Sequence, residues 1–293
     1  MIDLLLPTVS QGLLWSLMAL GVYLTYRVLD IADLTVEGTF PLGAAVAAEM
    51  LIKGFNPVVA IFVAGVAGAL AGIVTGLLHT KLKIPALLAG ILTMIALYSV
   101  NLRVMGKANL SLLRVDTAFT FVKNMGLTNT MSVLLVGIIS TLFFSLLIYW
   151  FFGTEIGAAI RATGFNPQMI RAQGVNTNFT IVLGLLLSNA LVAISGAFIA
   201  QSNGFADVGM GVGTIVIGLA SVIIGEVLFG TRSFKNSLIS VVLGSVTYRI
   251  VIAAVLQMGM PPNDLKLFTA VLVALALAMP MFKGKIKARK VAE

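Results

Sequence analysis

Five ionisable side chains interrupt long apolar stretches of this sequence: Asp33, Glu37, Glu49, Glu226 and Arg249. A charge in such a setting is costly and normally faces a bundle interior or a water-filled cavity, so each marks a candidate conduction or ligand-binding position. Asp33 and Glu37 are spaced i, i+4, one helical turn apart, within Asp33-Leu34-Thr35-Val36-Glu37-Gly38-Thr39. Gly38 and Pro41 predict a break in the helix there, and a broken helix opens polar groups to a cavity. The structural alternative makes Asp33 an N-cap and sets Glu37 near the positive end of the helix; the two readings are compatible. Glu226 and Arg249 fall in consecutive apolar stretches, but pairing them directly needs an irregular helix. Arg249 could instead meet a carbonyl or a ligand carboxylate. Ser188, Asn189, Ser195, Gln201 and Asn203 share one stretch, where they serve interhelical hydrogen bonds or a pathway face. The candidate pathway set is Asp33, Thr35, Glu37, Thr39, Ser188, Asn189, Thr214, Glu226 and Arg249.

Other chemistries lack material. There is no cysteine, hence no disulfide or thiolate site, and the single histidine, His79, cannot supply a zinc triad or a Ser-His-Asp site. No G-x-S-x-G occurs, and the acid pair at 33 and 37 is better placed for structure or conduction than for acid–base catalysis. The chain therefore reads as no enzyme.

The elements that hold these residues follow from composition. Of 293 residues, 59% are apolar and 10% charged, against about 25% charged in a soluble domain. So few charges cannot cover a water-soluble surface, which makes the chain an integral membrane protein. Its net charge of +8 fits basic cytoplasmic loops rather than a nucleic-acid partner. Windows of about 20 residues, the length that crosses a bilayer, give nine all-α spans at roughly 9–27, 34–52, 57–79, 84–105, 130–152, 179–201, 213–230, 237–258 and 265–282. The runs are too long and continuous for a β-barrel. The first carries no signal-peptide features. With the N-terminus outside, 12 of the 19 basic residues fall on inner segments, including the tail 283–293, and 6 on outer ones. That bias predicts an external N-terminus and a cytoplasmic C-terminus. The whole chain, 1–293, reads as a single transmembrane domain.

A weak repeat runs through it. Gly38-Thr39 with Gly43 and Ala45 matches Gly213-Thr214 with Gly218 and Ala220, on spans that cross in opposite directions. Inverted repeats of short, Gly-rich segments line transporter pathways, although a chain with 29 glycines also makes such matches by chance. Gly65, Gly68, Gly72 and Gly76 suit close helix packing. His79, Trp15, Tyr149 and Trp150 read as interfacial or packing residues.

The most informative segment is the loop at about 153–178. Thr154 can cap one short helix and Gly164 can end it; Asn166 is a good N-cap, Pro167 suits the first helical position, and Gly174 supplies a left-handed stop. A two-turn helix is expected over 167–173 at the inner surface. It could rest on lipid headgroups through Met169, Ile170 and Arg171, or project as a stiff docking knob for a soluble partner.

The run from Gly157 through Arg161-Ala162-Thr163-Gly164-x-Asn166-Pro167 to Ala172-x-Gly174-Val175-Asn176 resembles the coupling loop of ATP-binding-cassette importer permeases of the branched-chain amino-acid and ribose superfamily. Ile31-Ala32-Asp33-Leu34-Thr35-Val36-Glu37-Gly38 resembles a second family segment, with Glu37 as an extra residue, and the ending from Asp264-Leu265 to Pro280 is similar to the family's final span. The nearest branch resembles small permeases that accompany a tryptophan- or tyrosine-type binding protein. The resemblance implies a pathway formed by two permease subunits, identical or different with a homodimer preferred, an ATPase dimer docked on the coupling helices and an extracellular substrate-binding protein. It places the chain in a bacterial cytoplasmic membrane. Thr154, Glu155, Gly157, Arg161, Ala162, Thr163, Gly164, Asn166, Pro167, Arg171 and Gly174 are then the ATPase-coupling residues. ATP and Mg would sit on the partner ATPase, with no cofactor on this chain, which has no G-x-x-x-x-G-K-[ST] loop. The substrate implied is an amino acid, aromatic for that branch. An ion-coupled secondary transporter is the rival reading; it explains the repeat and the buried acids but not the capped loop.

Overall fold

A computed structural model describes residues 2–275 apart from Arg114, Met125, Met260, Pro262, Asn263 and Lys266, with side chains from Leu5 onward. The described residues are predominantly helical. Its elements are α1 (Ile2–Tyr23), α2 (Val36–Ile52), α3 (Pro57–Thr80), α4 (Ala86–Met105), β1 (Asn109–Ser111), α5 (Ala118–Lys123), α6 (Asn129–Phe152), α7 (Glu155–Phe165), α8 (Pro167–Ala172), α9 (Thr177–Asn203), β2 (Phe205–Asp207), α10 (Thr214–Phe229) and α11 (Phe234–Gln257). Helix resumes at 267–275. Seven helical segments among the described residues are long and apolar enough to cross a bilayer, so this is a multi-pass membrane protein.

Nine spans are expected from sequence, and the two discrepancies have physical causes. The second, α2, has 17 residues, about 25 Å of helix, which falls short of a hydrocarbon core of about 30 Å. It is buried along most of its length and belongs to the protein core rather than the lipid boundary. The ninth is helical at 265 and 267–275, and the rest of it lies outside the described residues.

The long helix α9 is the spine, with α1, α2 and α3 packed around it. Contact is close because α3 presents glycines along one edge: a Cβ at Gly68 would come 2.4 Å from the Asn189 carbonyl oxygen, and one at Gly72 2.4 Å from that of Leu185. The small-residue stripe is thus a packing device. Apolar side chains such as Phe62, Leu70, Ile139, Phe143 and Trp150 form an exposed outer band, as a lipid solvent requires.

Two helices start inside the bundle. α1 ends in a π-helical turn, Leu24–Val28, where Leu29 N–H reaches the Leu24 carbonyl at 3.0 Å. The chain then turns back through Asp30, in the left-handed region at φ 55°. α2 begins at Val36, level with Asn189 halfway along α9. At the other end of α9 the chain also folds back, through β2 and the 3₁₀ turn Val208–Gly211, and α10 begins at Thr214 beside Glu37. From that junction α2 runs toward the end where α9 finishes, and α10 toward the end holding α7 and α8. This is the arrangement the inverted repeat predicts. The helix break is not at Gly38 and Pro41, however; both lie within a continuous α2, and the irregular backbone is upstream, at 29–35. The segment between α4 and α6 carries β1, paired antiparallel with β2, and α5.

Candidate functional site

The loop between α6 and α9 forms two short helices because its caps are in place. Thr154 Oγ1 accepts the Gly157 N–H at 3.3 Å and starts α7. Asn166 Oδ1 accepts the Met169 N–H at 3.0 Å, with Pro167 in the first turn of α8. Gly174, at φ 88°, ends the segment as expected. Gly164 does not: α7 continues through it to Phe165. The glycine is there for contact, since a Cβ would sit 1.9 Å from the Val28 carbonyl oxygen.

One face of α7 is fixed to the membrane helices. Ile160 is fully buried. Thr163 donates to the Ala159 carbonyl at 2.7 Å, and its hydroxyl lies 2.8 Å from that of Thr180 on α9. Gly157 lies against the end of α6, where a Cβ would meet the Phe151 carbonyl oxygen at 2.3 Å. Ala162 is half-buried beside them. On α8, Ile170 is buried and Arg171 donates to Thr177 Oγ1 from Nε at 3.1 Å and Nη2 at 2.6 Å. The opposite face is open. Glu155, Arg161, Asn166, Pro167 and Gln168 are exposed, and Arg161 holds its guanidinium 5.3 Å from the Phe234 ring. At the tip, Phe165 is 91% exposed. Sequence reasoning passed over this side chain; the signal was an aromatic residue between two helix-end residues with polar neighbours, where no core could receive it.

The pathway candidates separate into four places. Asp33, Thr35, Thr39 and Asn189 converge in the bundle interior. Asp33 is not helical and is not the N-cap: Thr35 is, and its N–H donates to Asp33 Oδ1 at 2.9 Å. Asn189 Nδ2 donates to Asp33 Oδ2 at 2.8 Å, and Thr39 donates to Asn189 Oδ1 at 2.8 Å. The Thr35 hydroxyl lies 2.8 Å from that of Thr75, which donates to Thr93 at 2.9 Å. The set ties α2, α3, α4 and α9 together. Ser188 donates to the Gly21 carbonyl at 2.7 Å, fixing α9 to α1. Glu37 and Thr214 meet where α2 and α10 begin: Glu37 Oε1 accepts the Gly213 N–H at 3.0 Å, and Thr214 donates to the Gly211 carbonyl at 2.8 Å.

Glu226 and Arg249 are far apart and do not pair. Glu226 takes a forked contact from Arg27, with Nε 2.9 Å from Oε1 and Nη2 on Oε2, so the ion pair spans α10 and the π turn at the end that carries α7. Arg249 lies toward the opposite end, with its guanidinium 4.0 Å from the centre of the Trp15 ring. Glu49, an exposed-end residue of α2, pairs with Lys53. His79 Nδ1 lies 2.8 Å from the Ile84 carbonyl, closing the turn after α3.

Comparison with known proteins places this architecture. Residues 4–279 match the family described as branched-chain amino acid transport system, permease component. A tyrosine transport system permease protein of Clostridioides difficile is 40% identical over 274 residues, covering 94% of this chain and 90% of the relative. A galactofuranose transporter permease protein of Escherichia coli is 30% identical over 193 residues, 62% of this chain and 51% of that protein. Among solved structures, a metal-chelate type ABC transporter in an inward-facing conformation aligns with a TM-score of 0.49 at 13% identity, over 96% of this chain and 85% of that one.

Proposed function

The chain belongs to the branched-chain amino acid transport system permease family and is an ABC permease subunit, a transport component rather than an enzyme; from that premise we propose that α7 and α8 are its ATPase-docking lever. The observation that carries the reading is the division of the loop into a fixed face and an open one. A lever needs both. Motion of α7 must move the membrane helices, and the Gly164–Val28 contact and the Thr163–Thr180 bond support that link. A partner must also find something to grip, and Phe165, Asn166 and Pro167 stand free at the tip. In this reading Thr154, Gly157, Ala162, Thr163, Gly164, Arg171 and Gly174 shape and anchor the lever, while Glu155, Arg161, Asn166 and Pro167 meet the ATPase, together with Phe165.

The loop then lies in the cytoplasm, the N-terminus outside and the C-terminus inside, with nine crossings in a bacterial cytoplasmic membrane. Two copies form the pathway, an ATPase dimer binds ATP and Mg below, and an extracellular binding protein delivers an amino acid. An aromatic one is favoured by the likeness to a tyrosine permease. The junction of Glu37 with Gly213 and Thr214, where two helices start back to back, is the natural place for the pathway to open and close. Asp33, Thr35, Thr39, Ser188 and Asn189 brace it.

The test is to purify the tagged chain in mild detergent from its native membrane and identify what accompanies it. A stoichiometric Walker-motif ATPase is expected, and it should be lost from the Phe165→Ala, Asn166→Ala double variant while the chain itself remains folded. Recovery of no ATPase, under conditions that keep other ABC complexes whole, would sink the reading and return attention to ion-coupled transport.

A further inference from the structure

Among the described residues Arg249 has no counter-charge. Its side chain stacks on Trp15 at 4.0 Å, and Trp15 is backed by Phe40, with ring centroids 5.0 Å apart. Among the described residues no hydrogen bond or ion pair engages the guanidinium, and its Nε is buried without a partner. The group opens into a groove of about 440 Å³ between the first half of α1 and the last half of α11, walled by Pro7, Thr8, Gln11, Ile252 and Leu256. Among the described residues no acidic side chain lines it.

A cation inside an apolar bundle must be compensated, and the ring face of Trp15 compensates only part of its lost hydration. The rest has to come from water or from an anion in the groove, where the half-buried guanidinium is accessible. The guanidinium is planar with paired donors, the geometry that takes two oxygens of a carboxylate at once. Trp15 holds the plane in one orientation, so little order is lost on binding. The groove has the size of a small-molecule site, its walls are mostly apolar, and it lies at the end of the bundle away from α7 and α8. We infer that Arg249 and Trp15 form a carboxylate-binding site, at which a solute with an apolar or aromatic side chain is held by its carboxylate on the external side of the pathway. This rests on the importer reading for its direction, not for its chemistry. With no acid among the described lining residues, the site is selected by the carboxylate rather than by an amino group.

The experiment uses the two tryptophans of the chain. Trp150→Phe removes the exposed one and leaves Trp15 as the reporter of its own cation contact. The full-length chain, separated from copurified partners after an aliquot is kept for identifying them, is placed in phosphatidylcholine nanodiscs. It is then titrated with L-phenylalanine, 3-phenylpropionate and phenethylamine while Trp15 emission is followed. Both carboxylates should shift the emission saturably with similar midpoints, and phenethylamine should not. Arg249→Gln should weaken the response at least about tenfold. Arg249→Lys, which keeps the charge but not the fork, should weaken it less and guards against a misfolded Gln variant. No response to either carboxylate, an equal response to phenethylamine, or an undiminished response in Arg249→Gln overturns the site. So does an emission set by exchanging phosphatidylcholine for phosphatidylglycerol with no response to soluble carboxylates, which would assign the guanidinium to a lipid phosphate. ATPase recovery from the same preparation reports separately on the importer reading.

Discussion

Arg27 and Arg249 are the same side chain at opposite ends of one bundle, and their surroundings differ in what they leave undone. Arg27 sits on the π turn after α1 and is neutralised by Glu226. Its neighbour Val28 is locked against Gly164, and Arg161 and Phe234 close the same corner. Arg249 is flanked by an indole face and a groove. A charge satisfied within the chain is scaffold; a charge left open is an invitation to a ligand. The contrast also separates the two tasks of a transport subunit, holding the lever that a partner moves and meeting what is carried.

The most severe way to break the scaffold end is Gly164→Val. The Cβ alone would lie 1.9 Å from a backbone carbonyl oxygen, so α7 must lift away from the π turn. Overpacking in a core costs about 1–3 kcal/mol when side chains can yield, and here the obstacle is backbone, which puts the cost at the top of that range or above. Thermal unfolding in detergent should show a large drop, with protease-sensitive sites appearing in 153–178. Unchanged stability would mean that the lever is not bolted down.

Next in size is Asp33→Ala. The carboxylate accepts from the Thr35 N–H and from Asn189, and its removal leaves two buried donors unpaired, at about 1–3 kcal/mol each for a group stranded in this way. A fall of about 2–3 kcal/mol is expected, read from denaturant unfolding in micelles, and Asp33→Asn should recover part of it. If Asp33→Ala unfolds like the native chain yet abolishes transport, the network is a conduction site and not a brace.

These outcomes bear on what could be read from the sequence. The capped helix pair was legible because Thr154, Asn166, Pro167 and Gly174 act through local geometry that needs no tertiary context. So were most helix limits, since apolar length is set by the bilayer. Gly164 was misread for the opposite reason: a glycine near a helix end looks like a stop, and only the approach of Val28, far away in sequence, shows it to be a contact. The charges divide the same way. Glu226 reads as a pathway residue because its partner Arg27, 199 positions away, leaves no trace in local pattern. The reach of Asp33 to Asn189 was likewise hidden, although polarity alone marked both. The acid pair at 33 and 37 carries helical spacing, but Asp33 lies before the helix, and the two carboxylates serve different junctions.

The sharpest test of the comparison exchanges both arginines for methionine, a flexible apolar side chain of similar reach. Arg27→Met strands Glu226, whose side chain is 12% exposed, while Arg27 itself is 47% exposed. A pair this open to solvent is screened, so the loss should be about 1 kcal/mol. Arg249→Met removes a cation that, among the described residues, has no acceptor and no carboxylate to strand. Replacing a desolvated charge by a packed apolar group is neutral or stabilising, offset here by the lost stacking on Trp15, at about 0.5–2 kcal/mol. The net change should lie near zero and not follow the fall seen for Arg27→Met. Paired thermal melts of the two variants, each against the native chain in the same detergent, make the measurement. Equal losses would mean that Arg249 is held by the fold as firmly as Arg27. Near-neutral Arg249→Met beside a destabilised Arg27→Met would mean that the bundle carries this cation at its own expense, which a chain does where the missing partner arrives from outside.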